Sequence, residues 1–189
     1  MKCNKIALAA ALVLGLGAVG SAGAASNGGT IYFQGAVNDP TCTVSGGAGT
    51  DYGLGNFTVD LKTVSPSQFT AAGDVQNKTP FEVVIGGPGQ GSCTDGKVAT
   101  FSLVTVGTPV DPISGALENT LNGEATGVAV QLLDGSNKTI NLNSSYSVNS
   151  PAIANNTATI PFSAQFLSTN ATVTPGLVNA HVLYGVTYN

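Results

Sequence analysis

The segment nearest to a chemical motif is Gly91-Ser92-Cys93-Thr94-Asp95-Gly96-Lys97-Val98. It almost spells the G-x-x-x-x-G-K-[ST] phosphate loop, in which backbone amides cradle phosphates and a hydroxyl residue holds magnesium. Val98 stands where that hydroxyl belongs, a cysteine interrupts the loop, and no strand-to-helix pattern surrounds it. A glycine-rich surface turn is the better reading. His181 is the single histidine, and strand alternation puts it on an outward face. Glu82, Asp95, Asp111 and Asp134 are scattered among turns and strand edges at no pairing distance, and no calcium-loop run D-x-[DN]-x-[DN]-G occurs. The triplets Asn77-Lys78-Thr79 and Asn170-Ala171-Thr172 match glycosylation acceptors, but such triplets arise easily in an Asn- and Thr-rich strand protein. One histidine, no arginine and few carboxylates cannot supply an acid–base constellation. No enzyme, no cofactor and no metal site is expected. An acidic chain without arginine is also a poor nucleic-acid binder, because phosphate recognition leans on basic patches.

Cysteine use depends on compartment, and the first segment decides that. Residues 1–25 read as a secretory signal: Lys2 and Lys5, then an apolar run over 6–19, then Ala22-Gly23-Ala24-Ala25. Cleavage after Ala24 or after Ala25 satisfies the small-residue rule equally well. The apolar run is short for a membrane span. Removing it leaves four lysines against ten acids, a net charge of -6. It also leaves two cysteines, Cys42 and Cys93. In a secreted chain these read as one disulfide. Zinc would need more ligands than two cysteines and one distant histidine, and a redox pair would sit in C-x-x-C.

The elements that must hold these residues are strands. Short or alternating apolar runs recur at 30–37, 57–64, 81–85, 98–106, 127–133, 157–166 and 179–188. They are rich in Thr, Val, Tyr and Phe, and Gly, Pro, Asn, Asp and Ser separate them. Asp134-Gly135-Ser136-Asn137 signals a hairpin between 128–133 and 139–142. Helical periodicity is weak, and 65–72 holds a short helical turn at most. The pattern predicts one all-β domain, a sandwich over 39–189, with 26–38 as an N-terminal arm.

Both ends of the chain carry apolar stripes. In the arm, Gly29, Ile31, Phe33, Gly35 and Val37 share one face of an extended strand. At the C-terminus, Ala180, Val182, Tyr184, Val186 and Tyr188 form a second stripe, opposite Asn179, His181, Leu183, Gly185 and Thr187. The arm on its own reads first as the opening strand of a complete sandwich.

The sequence resembles subunits of bacterial chaperone–usher fimbriae, most closely the type 1 fimbrial major subunits. Gly29-Thr30-Ile31-Tyr32-Phe33-Gln34-Gly35-Ala36-Val37 is similar to the family's G-T-V-x-F-x-G-x-V arm. Gly127-Val128-Ala129-Val130-Gln131-Leu132-Leu133-Asp134 resembles its G-V-x-x-Q-I-L-D strand. Ile160-Pro161-Phe162-Ser163-Ala164-Gln165-Phe166 resembles I-P-F-x-A-x-Y, with Phe166 in place of the usual Tyr. Thr174-Pro175-Gly176 precedes a final strand, with Gly176 fourteenth and Tyr188 second from the end.

The resemblance implies an immunoglobulin-like sandwich lacking its last strand. A periplasmic chaperone fills the groove first. At the outer-membrane usher, the arm of a neighbouring subunit replaces it. The resulting fimbria stands on the cell surface and supports adhesion. On this basis Gly29, Ile31, Phe33, Gly35 and Val37 are expected donor residues. Val182, Tyr184, Val186 and Tyr188 are expected to line the acceptor groove, and Gly176 and Tyr188 to mark the segment that the chaperone reads. The alternatives are a minor adaptor subunit of the fimbria, or a secreted monomeric sandwich that binds carbohydrate. The second is disfavoured by the lack of Trp and the scarcity of Tyr.

Overall fold

The computed structural model of the chain describes residues 42–188. The expected signal segment and the arm with its strand at 30–37 lie outside the described residues. Among the described residues, eight strands run in the order β1 (Val44–Gly46), β2 (Val75–Gly86), β3 (Ala99–Val104), β4 (Leu117–Glu118), β5 (Val128–Asp134), β6 (Tyr146–Asn149), β7 (Thr157–Ser168) and β8 (Leu183–Tyr188). They form a five-stranded sheet, β1-β2-β7-β5-β4, and a three-stranded sheet, β6-β3-β8. Every pairing is antiparallel.

Alternation explains why the sheets stack. On β7, Ala158, Ile160, Phe162, Ala164 and Phe166 point inward, and all are at most 7% exposed. They meet Val83 and Ile85 of β2, Val128, Val130 and Leu132 of β5, and Phe101 of β3 in one apolar cluster. The Phe162 ring lies 5.6 Å from Phe81, 5.6 Å from Phe101 and 6.4 Å from Tyr146. The contacts with Phe101 and Tyr146 tie the two layers together.

The expected strands at 81–85, 98–106, 127–133 and 157–166 fall within or around β2, β3, β5 and β7. Three others differ. Residues 57–61 alternate between half-buried Phe57, Val59 and Leu61 and exposed Thr58 and Asp60, yet 57–64 joins no ladder. Asn77 Nδ2 donates instead to the Leu61 and Thr63 carbonyls, at 3.1 and 3.0 Å. Lys62 turns to φ 61°, where the alternation ends. The hairpin turn forms: Asp134 Oδ1 accepts from the amides of Ser136 and Lys138, both at 2.9 Å. Its return arm, however, is a single bridge from Leu133 to Thr139. Beyond it, Leu142 N–H turns away to the Gly115 carbonyl at 3.0 Å. The last strand begins at Leu183 rather than 179, because Asn179 bonds to Asn119 and Thr120 instead. The helical turn expected in 65–72 is a 3-10 turn at Pro66–Gln68, capped by Ser65.

Cys42 and Cys93 form the expected disulfide. It seats the chain beside Gly86, whose φ is +79° and whose absent Cβ would lie 2.6 Å from the Cys93 sulfur. The Gly91–Val98 segment is a turn ahead of β3, and two of its amides are tied into the fold: Cys93 N–H bonds Gln90 O, and Gly96 N–H bonds Ile153 O, both at 2.8 Å. Asp95 accepts from the amides of Asn155 and Asn156 at 3.1 and 2.7 Å. Its carboxylate fastens a turn.

The bridge closes a loop across a separation of 51 residues. Loop-closure entropy for that length is worth about 4 kcal/mol. Replacing both cysteines by serine is expected to cost about that much, read as a lower urea midpoint with a somewhat larger m-value, because the unfolded chain loses its cross-link.

Candidate strand-docking groove

β8 pairs with β3 along one edge, placing Tyr184 opposite Leu103, Val186 opposite Phe101 and Tyr188 opposite Ala99. Among the described residues its other edge has no strand partner. Antiparallel pairing on one side leaves alternate N–H and C=O groups of β8 pointing into that open edge. The stripe of Ala180, Val182, Tyr184, Val186 and Tyr188 faces the core but is only half-buried throughout. The inward residues of β7 are shut from water; these are not. The sandwich is therefore incompletely covered along β8.

The 57–64 segment supplies apolar side chains to the same core. Phe57, Leu61 and Val64 are half-buried and pack against it, like the β8 stripe. Two tyrosines span from β8 to the five-stranded side. The Tyr184 ring stacks on Phe101 at 5.3 Å and meets Phe57 at 6.0 Å, and its hydroxyl donates to the Gly55 carbonyl. The Tyr188 hydroxyl donates to the Cys42 carbonyl at 3.0 Å. Burial pushes both phenols up, and Tyr188 is raised further by Tyr184. Both stay protonated donors at neutral pH. Along β8, then, an edge without a strand partner among the described residues runs beside half-buried apolar side chains, with Phe57 of the unladdered 57–64 segment against Tyr184.

Val182, Tyr184, Val186 and Tyr188 thus come together. Gly176 stands apart, exposed in the approach to β8. A Cβ there would lie 2.2 Å from the Ala125 backbone nitrogen, so only glycine permits this approach. The amide of the next residue, Leu177, donates to Glu124 Oε2 at 2.8 Å. Gly176→Ala is expected to cost roughly 1–3 kcal/mol through this clash, read as a lower thermal midpoint. His181 is exposed just before β8. The donor residues Gly29, Ile31, Phe33, Gly35 and Val37 lie outside the described residues. Sequence reasoning missed that 57–64 packs beside β8 without a ladder; its alternation was the signal, read there as an ordinary strand.

Residues 31–189 match the family model described as "Fimbrial protein". The chain belongs to the fimbrial protein family. As a fimbrial subunit it is 34% identical over 169 residues to the major fimbrial subunit SMF-1 of Stenotrophomonas maltophilia, covering 85% of this chain and 92% of that one. It is 28% identical over 193 residues to the type-1 fimbrial protein, A chain, of Escherichia coli strain K12, covering 100% of both. Two solved structures share the fold at 18% identity. One, a chaperone–usher pilus studied for rod uncoiling, has a TM-score of 0.55 over 87% of this chain and 97% of that one. The other, the P pilus rod subunit PapA, has a TM-score of 0.52 over 86% and 100%. The sandwich is the immunoglobulin-like fold of pilus subunits. The family is structural, not enzymatic. The protein is a structural pilin subunit that assembles with other subunits in a surface fimbrium.

Proposed function

We propose that this fimbrial subunit polymerises by donor-strand exchange through the β8 groove. Residues 1–25 direct export and are removed, 26–38 form the donor arm, and 39–189 form the acceptor sandwich. The arm of one copy lies along β8 of the next, completing its backbone ladder. Ile31, Phe33 and Val37 seat against the half-buried stripe, while Gly29 and Gly35 pass where there is little depth. This is β-augmentation, in which ladder bonds give affinity and alternate side chains give register. The contact is head-to-tail and does not close, so it builds a filament.

Before assembly the same edge would invite aggregation. A periplasmic chaperone strand covers it during transit, and the outer-membrane usher exchanges that strand for the next arm. Gly176 and Tyr188 lie at the two ends of the segment offered to the chaperone. The completed fimbria carries cell adhesion. The observation that carries this reading is the half-buried Val182–Tyr188 stripe beside an unpaired strand edge.

Detergent electrophoresis of fimbriae sheared from the native host, with and without boiling, tests it. The expected result is a high ladder that collapses to the mature monomer only on boiling. A monomer band without boiling would show that the arm completes its own fold, which overturns the proposal.

A further inference from the structure

At the far edge of the three-stranded sheet from β8, β6 overhangs a cleft of about 470 Å³. Its lining includes half-buried Val148 and exposed Pro161 as apolar side chains, over the buried Ile160, with Asp134, Ser136 and Tyr146 around them. These residues arrive from β6, β7 and the turn after β5. Tyr146 is held by the edge of Phe162 at 6.4 Å, and its hydroxyl has no hydrogen-bond partner among the described residues. Asp134 spends Oδ1 on the turn amides of Ser136 and Lys138, leaving Oδ2 without a partner there. It forms no ion pair among the described residues. The phenol is pushed up by burial and by the charge of Asp134, which places the two groups within electrostatic reach.

We infer that this cleft is a binding site for a neutral saccharide. A pyranose has an apolar C–H face and a rim of hydroxyls. The side chains of Val148 and Pro161 suit the face. The Tyr146 hydroxyl and the free Asp134 oxygen offer a donor and a charged acceptor to the rim. The volume is in the range of small-ligand sites. An unpaired carboxylate repels phosphate, sulfated or sialylated ligands. A peptide strand is a poorer occupant, because β6 is four residues long and Pro151 follows almost at once. The cleft lies across the sheet from β8, so it stays open when that edge is occupied. A single open site of this kind binds weakly. Many copies along a filament raise avidity by roughly 10²–10⁴, and this gain alone rests on the assembly reading.

The test overlays purified fimbriae on an array of neutral and sialylated oligosaccharides, comparing wild type with Tyr146→Phe and Asp134→Asn. The first variant keeps the ring, and the second keeps an acceptor for the turn amides. The expected result is capture on neutral glycans that falls about tenfold or more in both variants, with filaments unchanged by electron microscopy. In wild-type fimbriae, the captured glycan should also protect Tyr146 from tetranitromethane nitration, read by mass spectrometry. That measurement stands even if a variant fails to assemble. No capture on neutral glycans, preference for sialylated ones, capture unaltered in both assembled variants, or no protection of Tyr146 would each overturn the site. None of these outcomes touches strand exchange, which the heat-sensitive ladder tests separately.

Discussion

Phe33→Asp is expected to abolish filaments while leaving the sandwich folded. In the proposed donor strand, Phe33 is the largest apolar side chain of the stripe. Its burial is worth about 3 kcal/mol. Aspartate forfeits that and brings a carboxylate against the apolar and aromatic side chains of Val182, Tyr184 and Val186. An unpaired buried charge costs several kcal/mol more even after relaxation. The combined loss, on the order of 5 kcal/mol or more, weakens each subunit contact by over a thousandfold. Filaments multiply such contacts in series, so the product is monomer or chaperone-bound subunit. Electron microscopy and the unboiled ladder read the loss. Intact chaperone capture and an intact Cys42–Cys93 bridge show that the acceptor domain has folded. Phe33→Leu, which keeps an apolar side chain, should assemble. Normal filaments from Phe33→Asp would remove residues 29–37 from the donor role.

How much of this was legible in the sequence depends on what alternation measures. Period-two patterning reports which face of an extended segment is buried. It therefore located β7, where Ile160, Phe162, Ala164 and Phe166 line the core, and it sorted the β8 stripe from Leu183 and Thr187. It says nothing about where a segment's backbone hydrogen bonds go. For that reason 57–64 looked like a strand and proved an unladdered segment. Alternation also cannot separate a fully covered face from a half-covered one. Val182 and Ile160 read alike, yet the first stands at an open edge and the second is 3% exposed. β6 and β4 were missed because Tyr146–Asn149 sits in a run of Asn and Ser and Leu117–Glu118 is two residues long. The saccharide cleft has no local signature at all. Asp134, Tyr146 and Ile160 come together only when the β5 turn, β6 and β7 are folded against each other. The cysteines were readable because compartment, not geometry, decided their pairing.

A chain carrying its own donor separates groove chemistry from assembly. Residues 26–38 are deleted, and a copy of 29–37 is appended after Asn189 through a tight Asn-Gly turn. The turn lets the added strand run back antiparallel to β8. The expected product is a monomer that forms no ladder and is much more stable than the arm-deleted chain. Covering the Val182–Tyr188 stripe with Ile31, Phe33 and Val37 is worth roughly 1.5–3 kcal/mol for each side chain. For a domain of this size each kcal/mol raises Tm by about 2–4 °C, so the rise should be roughly 10–30 °C. Appending the same strand with Phe33→Asp should give little or no rise. A linked strand that stabilises equally with and without that charge would mean that it binds elsewhere than along β8. Stabilisation that vanishes with the charge, in a chain that cannot polymerise, would trace filament strength to side chains seated along β8 rather than to contacts made only in the fimbria.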